Sequence, residues 1–520
     1  MTVLLVMLLA APTTAPDTVV VCPDAFRQSI APWVEYRTNQ GHAVSVVSAN
    51  REAEDIRGDI RQAAKGGRLK FVLLVGDAEP GMKTDQQLRD RCVPVHHAKA
   101  RVNVLWGSEP HIATDNWYAD INDDQIPDLA VGRLTADSPK ELAAIVKKII
   151  DYENSKDFGQ WRRRLNFVAG VGGFGAFADK MLESSTRYFL TRGIPADYNV
   201  SMTYGSWRSP YCPDPRSFGE TTLARLNEGA WFWVYIGHGR PDSLDRVRVP
   251  GGSHHILDNN DAKKLDCRHS APIGLFLSCY AGAIDARMDC LAEQMLRKTG
   301  GPVAVIAGSR VTMPYAMSVM ASGLMEECFD NRQKTLGEAL LGAKRKMMQE
   351  PADAESQRAM LDAIAAAISP AGSKLDTERA EHLLLFNLIG DPLLRLHHPQ
   401  KAQLTVPPSA TAGQELTFSG VSPIAGRCTV ELVVRRDRLA FSPERREQYD
   451  DDPAALSIFQ EVYRRANDRR LNWQQFDVKD GQFSGRLRVP EGADGDCHLR
   501  VYIEGNDDFA SAAADVKIAD

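Results

Sequence analysis

Two uninterrupted apolar runs, each ended by a chemically reactive residue, most constrain what this chain can fold into. The first reads Ala230-Trp-Phe-Trp-Val-Tyr-Ile and leads into Gly237-His238-Gly239. The second reads Pro272-Ile-Gly-Leu-Phe-Leu and leads into Ser278-Cys279-Tyr280-Ala281-Gly282. A strand without polar alternation has to be covered on both faces, as in the middle of a parallel sheet flanked by helices. The stretch between the runs is long enough for a crossover carrying a helix. In open α/β sheets reactions gather outside the carboxyl ends of the strands. A histidine and a cysteine delivered there are placed for nucleophilic catalysis, the imidazole taking the thiol proton and the thiolate attacking. Gly237 and Gly239 permit a tight turn and close approach of a substrate. The Gly239 and Cys279 amides would then face a developing oxyanion. Taken singly, each residue also has an ordinary reading. A cysteine at a strand end serves as a small buried hydrophobe, and a histidine between glycines can be just a turn.

Around these runs the pattern is α/β. Val19-Val-Val, Ala43-Val-Ser-Val-Val and Phe71-Val-Leu-Leu-Val predict strands, and Pro139 to Glu153 has helical spacing. Residues 17–160 form an amino-terminal α/β subdomain and 161–400 a larger one holding both reactive residues. From 401 to 520 the pattern changes to alternating apolar and polar residues punctuated by Gly and Pro, for example Cys428-Thr-Val-Glu-Leu-Val-Val. That predicts a small β-sandwich of immunoglobulin-like type. A charged insertion from Arg436 to Gln475 interrupts it, helical over Tyr449 to Arg470. The sandwich's simplest role is to brace the α/β region, since fold alone assigns no function.

The ordered set of motifs resembles the gingipain-type cysteine peptidases, relatives of caspases and legumain. Gly237-His238-Gly239 and then Leu277-Ser278-Cys279 are similar to their catalytic core. On the carboxyl side, Cys290-Leu-Ala-Glu-Gln-Met-Leu, Gly301-Pro-Val-Ala-Val-Ile-Ala-Gly-Ser309, Leu336-Gly-Glu-Ala-Leu and Leu385-Phe-Asn-Leu-Ile-Gly-Asp-Pro-Leu-Leu394 resemble the family's later helices and strands. On the amino side, Val72-Leu-Leu-Val-Gly-Asp77, Asp115-Asn-Trp-Tyr-Ala-Asp120 and Pro127-Asp-Leu-Ala-Val-Gly-Arg133 resemble its earlier segments. The resemblance implies a caspase-like three-layer α/β catalytic region of two subdomains, then a β-sandwich. It implies a cysteine endopeptidase in which Cys279 attacks the scissile carbonyl and His238 protonates the leaving amine. Gly239, Ser278 and the Cys279 amide would form the oxyanion side of the pocket. The loop Gly308 to Tyr315 would wall the S1 pocket with Tyr315 as its lid, although an ordinary strand-to-helix loop reads equally well.

The chain departs from that family in two places. The acid that orients the histidine should come after the strand Leu165-Asn-Phe-Val-Ala-Gly, yet Val171-Gly172-Gly173 carries no carboxylate. Asp179, Glu183, Asp242 and Asp245 are the nearby alternatives. The S1 acid of the arginine-specific relatives falls near Leu182, so that specificity is not carried over.

The remaining features set limits. The net charge is −6 with no long basic stripe, which argues against nucleic acid. No apolar run reaches the ~20 residues of a membrane span. Residues 1–16 hold a short apolar core that suits a signal peptide, although no Lys or Arg precedes it. Secretion or export to the envelope is therefore expected, with a cytoplasmic protein as the alternative. A strand starting near Thr18 leaves no room for an amino-terminal prodomain.

Nine cysteines leave at least one unpaired in an oxidising compartment. Cys279 is the natural odd one, and Cys428 with Cys497 the best disulfide candidates. All nine reduced would suit a cytoplasmic protein. No Cys-x-x-Cys pair suggests zinc. Asp120, Asn122, Asp124 and Asp128 place oxygens at alternate positions, which suits calcium, although an Asp/Asn-rich turn explains them as well. The pairs His96-His97 and His254-His255 read as surface histidines. No cofactor is required for the chemistry, and the partner is a protein or peptide substrate. The other readings are an inactive scaffold that kept the fold, and a transpeptidase in which an amine replaces water.

Overall fold

The computed structural model describes residues 15–519 except 83, 171–192, 268, 352, 354, 355 and 370. The candidate signal segment up to residue 14 lies outside the described residues, as do Val171 to Gly173, Asp179, Leu182 and Glu183.

Ten strands make one central sheet. In chain order they are β1 (Thr18–Cys22), β2 (Val44–Ser48), β3 (Phe71–Val75), β4 (Ala130–Leu134), β5 (Arg164–Ala169) and β6 (Asn199–Tyr204). β7 (Phe232–Ile236), β8 (Ile273–Leu277), β9 (Ala304–Gly308) and β10 (Phe386–Ile389) complete it. Their spatial order is β2-β1-β3-β4-β10-β9-β8-β7-β5-β6. The five residues of each of β3, β7, β8 and β9 are all buried, as continuous apolar runs demand. Helices form the outer layers. Pro139–Asn154 is one of them, started by Ser138, whose hydroxyl accepts the Glu141 amide, and by a proline at the first turn.

The two α/β subdomains read from the sequence are halves of this single sheet. β10 joins them, running parallel to β4 and antiparallel to β9. The two halves therefore run in opposite directions, and β7, β8 and β9 share one carboxyl edge.

After Pro399 the chain forms two further sheets, one of six strands and one of three. They pack around a common core that includes Phe418, Val430, Phe483 and Val501, which is the expected sandwich. The disulfide expected between Cys428 and Cys497 is absent, and all nine cysteines are free. Cys428 stands opposite Ile503 and Cys497 opposite Val434, so the two thiols lie about 20 Å apart along one ladder.

The insertion helix Pro453–Asn467 packs Leu456 and Phe459 on Trp207. Asn467 brackets the exposed edge of β6, accepting from the Met202 amide at 2.7 Å and donating to its carbonyl at 3.0 Å. That caps a sheet edge which would otherwise be open to another strand. Tyr502 of the sandwich donates to the Phe158 carbonyl at 2.7 Å. Glu431 is held between Arg163 at 2.7 Å and Arg500 at 2.8 Å. The sandwich is thus tied to the α/β region by buried contacts.

Candidate active site

β7 and β8 are adjacent and parallel, with Phe232 opposite Ile273 and Ile236 opposite Leu277. His238 and Cys279 each lie two residues past the last pair, so the register delivers them at the same height beside each other. The Gly237 amide donates to the Leu277 carbonyl at 3.3 Å, which carries the ladder one step further.

The His238 loop is fixed through its backbone. The His238 carbonyl accepts the hydroxyl of buried Tyr235 at 2.8 Å and the Asp245 amide at 3.1 Å. A Cβ on Gly237 would lie 2.7 Å from the Tyr235 hydroxyl. A Cβ on Gly239 would lie 2.5 Å from the Cys279 carbonyl oxygen and 2.9 Å from Ser278 Oγ. Both glycines are therefore required by close approach, and the histidine and cysteine loops touch at Gly239. Gly239 opposes Leu244 in an antiparallel bridge whose hydrogen bonds come from Arg240 and Asp245. Such a pair turns its own amides outward, and the Gly239 amide has no backbone acceptor among the described residues.

Cys279 is partly exposed, and its Sγ faces Thr312. The Thr312 amide donates to Sγ at 3.3 Å, and the Thr312 hydroxyl lies 3.7 Å away. Burial pushes the Cys279 thiol up, and the Thr312 amide and hydroxyl, which favour the thiolate, pull against it. The next residue, Tyr280, has φ +58°, a left-handed conformation that is strained for a residue with a side chain. It is held there by hydrogen bonds from its amide to the Arg310 carbonyl at 3.2 Å and from Ala281 to the Cys279 carbonyl at 2.8 Å. Ser278 is fully buried, and its hydroxyl has no partner among the described residues.

Other sequence candidates sit elsewhere. Tyr315 is 2% exposed, and its hydroxyl lies 2.7 Å from both Asp362 and Arg379. A lid at that position would have to leave both bonds. Asp242 accepts the Ser243 hydroxyl, and Asp245 meets His238 through its backbone.

The loop from Asp120 to Asp128 is an Asx-rich turn. Asp120 accepts the Asp123 and Gln125 amides, Asn122 the Asp124 amide, Asp124 the Ile126 amide and Asp128 the Ile121 amide. Asp120, Asp124 and Asp128 do not belong to either of the clusters of His and acidic side chains that converge among the described residues, His255–Asp258–Asp261 and Asp77–Asp137–Asp289. Arg57 and Arg61 already meet the charge of Asp123. These contacts are those of an Asx-rich turn.

Two of the histidines read as surface residues have acid partners. His97 Nε2 lies 2.8 Å from Asp285, which Arg310 grips with two hydrogen bonds at 2.8 and 2.5 Å. Burial pushes the Asp285 carboxyl up, but the bonds from His97 and Arg310 outweigh it and hold it well below the usual carboxylate range. The ring of His255 faces Asp261. Sequence reasoning placed Thr312 only within a pocket wall, and it missed the His97–Asp285–Arg310 chain behind the cysteine loop. Neither pairing leaves a local signal, because the partners are far apart in the chain.

The sequence matches peptidase family C25 over residues 11–397. The chain belongs to that family. It is 23% identical over 309 residues to Lys-gingipain of Porphyromonas gingivalis, which covers 56% of this chain and 15% of that protein. Lys-gingipain W83 of the same organism is 20% identical over 308 residues, with the same shares covered. The chain thus spans about 15% of the length of the curated relatives it matches. Among solved structures, the Arg-specific cysteine proteinase gingipain R (RGPB) superposes with a TM-score of 0.51 at 18% identity, covering 97% of this chain and 98% of that one. The complex of P. gingivalis RgpB pro- and mature domains gives 0.53 at 18% identity, covering 96% and 100%. These likenesses carry the fold: a caspase-like α/β region followed by a β-sandwich.

Proposed function

We propose that this protein is a cysteine endopeptidase acting on protein or peptide substrates. The observation that carries the reading is the β7–β8 register, which sets His238 and Cys279 side by side at one sheet edge in a chain of family C25. In the mechanism, His238 takes the Cys279 proton as Sγ attacks the substrate carbonyl carbon. The carbonyl π pair moves onto oxygen, where the Gly239 and Cys279 amides receive it. As the tetrahedral intermediate collapses, the C–N bond breaks and imidazolium gives its proton to the leaving amine. Water, deprotonated by His238, then hydrolyses the thioester and restores the thiol. Thr312 favours the thiolate before attack. The chemistry uses no cofactor, and the reading places the protein outside the cytoplasm. No described helix is long and apolar enough to cross a membrane.

The test is labelling of the purified protein with limiting iodoacetamide followed by peptide mapping, alongside a peptide-library digest. Selective modification of Cys279, lost in His238→Ala, together with cleavage lost in Cys279→Ala, is the expected result. Slow, uniform labelling without cleavage would refute the peptidase reading in favour of a scaffold. Transfer of the acyl group to an added amine in place of hydrolysis would make the same dyad a transpeptidase.

A further inference from the structure

A cavity of about 440 Å³ opens where the sandwich docks beside β5 and β6, with Arg225 and Glu228 before β7 in its wall, whereas His238 lies past the carboxyl end of that strand. Its walls carry seven arginines against three carboxylates. Each of those carboxylates is already met. Glu431 is bound by Arg163 and Arg500, Glu228 by Arg225 at 3.0 Å and Asp468 by Arg470 at 3.0 Å. Arg464 in turn meets Glu461 outside the wall, at 2.9 Å, and the charge that remains is cationic. Arg164 donates to the neutral carbonyls of Glu228 and Gly229, both at 2.8 Å. Arg469, 9% exposed, donates to the Val200 carbonyl at 2.8 Å and the Tyr211 hydroxyl at 3.2 Å, while its Nε is buried with no acceptor. Gathering like charges out of water is unfavourable unless a counter-charge enters. Burial accordingly lowers Arg436 to about 9 and Arg500 to about 10. A peptide-cleaving site at the other strands has no use for such a group.

We propose that this inter-domain cavity is a binding site for a small polyvalent oxyanion of the phosphate class, held by guanidinium donors from both the catalytic sheet and the sandwich. Planar guanidinium forks match tetrahedral oxyanions, and charge-assisted bonds of this type are strong. Because the walls come from both domains, occupancy clamps the sandwich to the catalytic region.

The experiment uses the full chain at low ionic strength, titrated with sodium triphosphate by calorimetry and by thermal unfolding. Trp473, 50% exposed and part of the cavity wall, serves as an optical reporter when the protein is compared with Trp473→Phe. The expected result is saturable one-site binding, a raised melting temperature and a fluorescence change lost in Trp473→Phe. Arg464→Gln/Arg470→Gln, at two exposed wall positions whose ion pairs lie at the surface, should keep the ligand-free melting temperature and weaken binding by at least about tenfold. An effect matched by sodium chloride at equal ionic strength, or equal binding by the double variant, would overturn the proposal. Cleavage by the Cys279 site is read separately, so loss of peptidase activity has no bearing on this result.

Discussion

The backbone amide of Thr312 points at Cys279 Sγ from 3.3 Å, and the Thr312 hydroxyl stands 3.7 Å from the same sulfur. The loop after β9 is thereby part of the Cys279 thiol's environment. Thr312→Val keeps the amide and the shape but removes the hydroxyl. The pH midpoint of iodoacetamide labelling at Cys279 should move up by about half a unit. A midpoint that stays put would mean the hydroxyl does not see the thiolate.

The dyad itself is the sharpest test. Cys279→Ala and His238→Ala should each lower peptide hydrolysis by about a thousandfold or more. Both side chains sit at the site edge, so melting temperatures should stay within about 2 °C of the parent. Full activity in either variant would remove that residue from the mechanism.

Tyr235 holds the His238 carbonyl from inside the sheet, at 2.8 Å. In Tyr235→Phe that carbonyl loses the hydroxyl and keeps the Asp245 amide. Stability should fall by about 1 kcal/mol. Turnover should drop about tenfold with KM little changed, because the loss is one of positioning. Unchanged kcat alongside the stability loss would make the tyrosine purely structural.

His382 links pH to the same loop. Its Nε2 accepts the Met313 amide at 2.6 Å, and its Nδ1 donates to the Glu378 carbonyl at 2.7 Å, so the ring is neutral. Burial lowers its pKa to about 4, while the unfolded chain titrates at about 6.5. The unfolded state therefore binds the proton first as pH falls. This contribution to stability is full above pH 6.5 and declines toward pH 4, with a slope approaching about 1.4 kcal/mol per pH unit. Chemical-denaturation stability between pH 4 and 7 should be flatter for His382→Gln, whose amide oxygen can still accept from Met313. An identical slope in the variant would assign the pH dependence to other groups.

Much of the architecture was legible because it is local. The residues 230–236 and 272–277 have no polar alternation, so strands buried on both faces were the available solution. The pattern from 449 to 470 likewise resolved to the helix Pro453–Asn467. The reversal of β10 between β4 and β9 was not legible, since a short apolar strand reads the same in either direction. The separation of Cys428 from Cys497 depends on how their two strands are registered. The burial of Tyr315 depends on Asp362 and Arg379, and the engagement of His97 on Asp285 and Arg310.

By itself, the sequence determined which segments become central strands, that His238 and Cys279 end two of them, and that a sandwich lies beyond. Those are consequences of hydrophobic periodicity and of glycine at tight turns, both readable within a few residues. Only the tertiary structure decided that the two ends stand level, that Thr312 faces the sulfur, and that arginines from both domains share one cavity. Each of these depends on strand register and domain docking, where residues scores to hundreds of positions apart come together, and no local pattern encodes the distance between them.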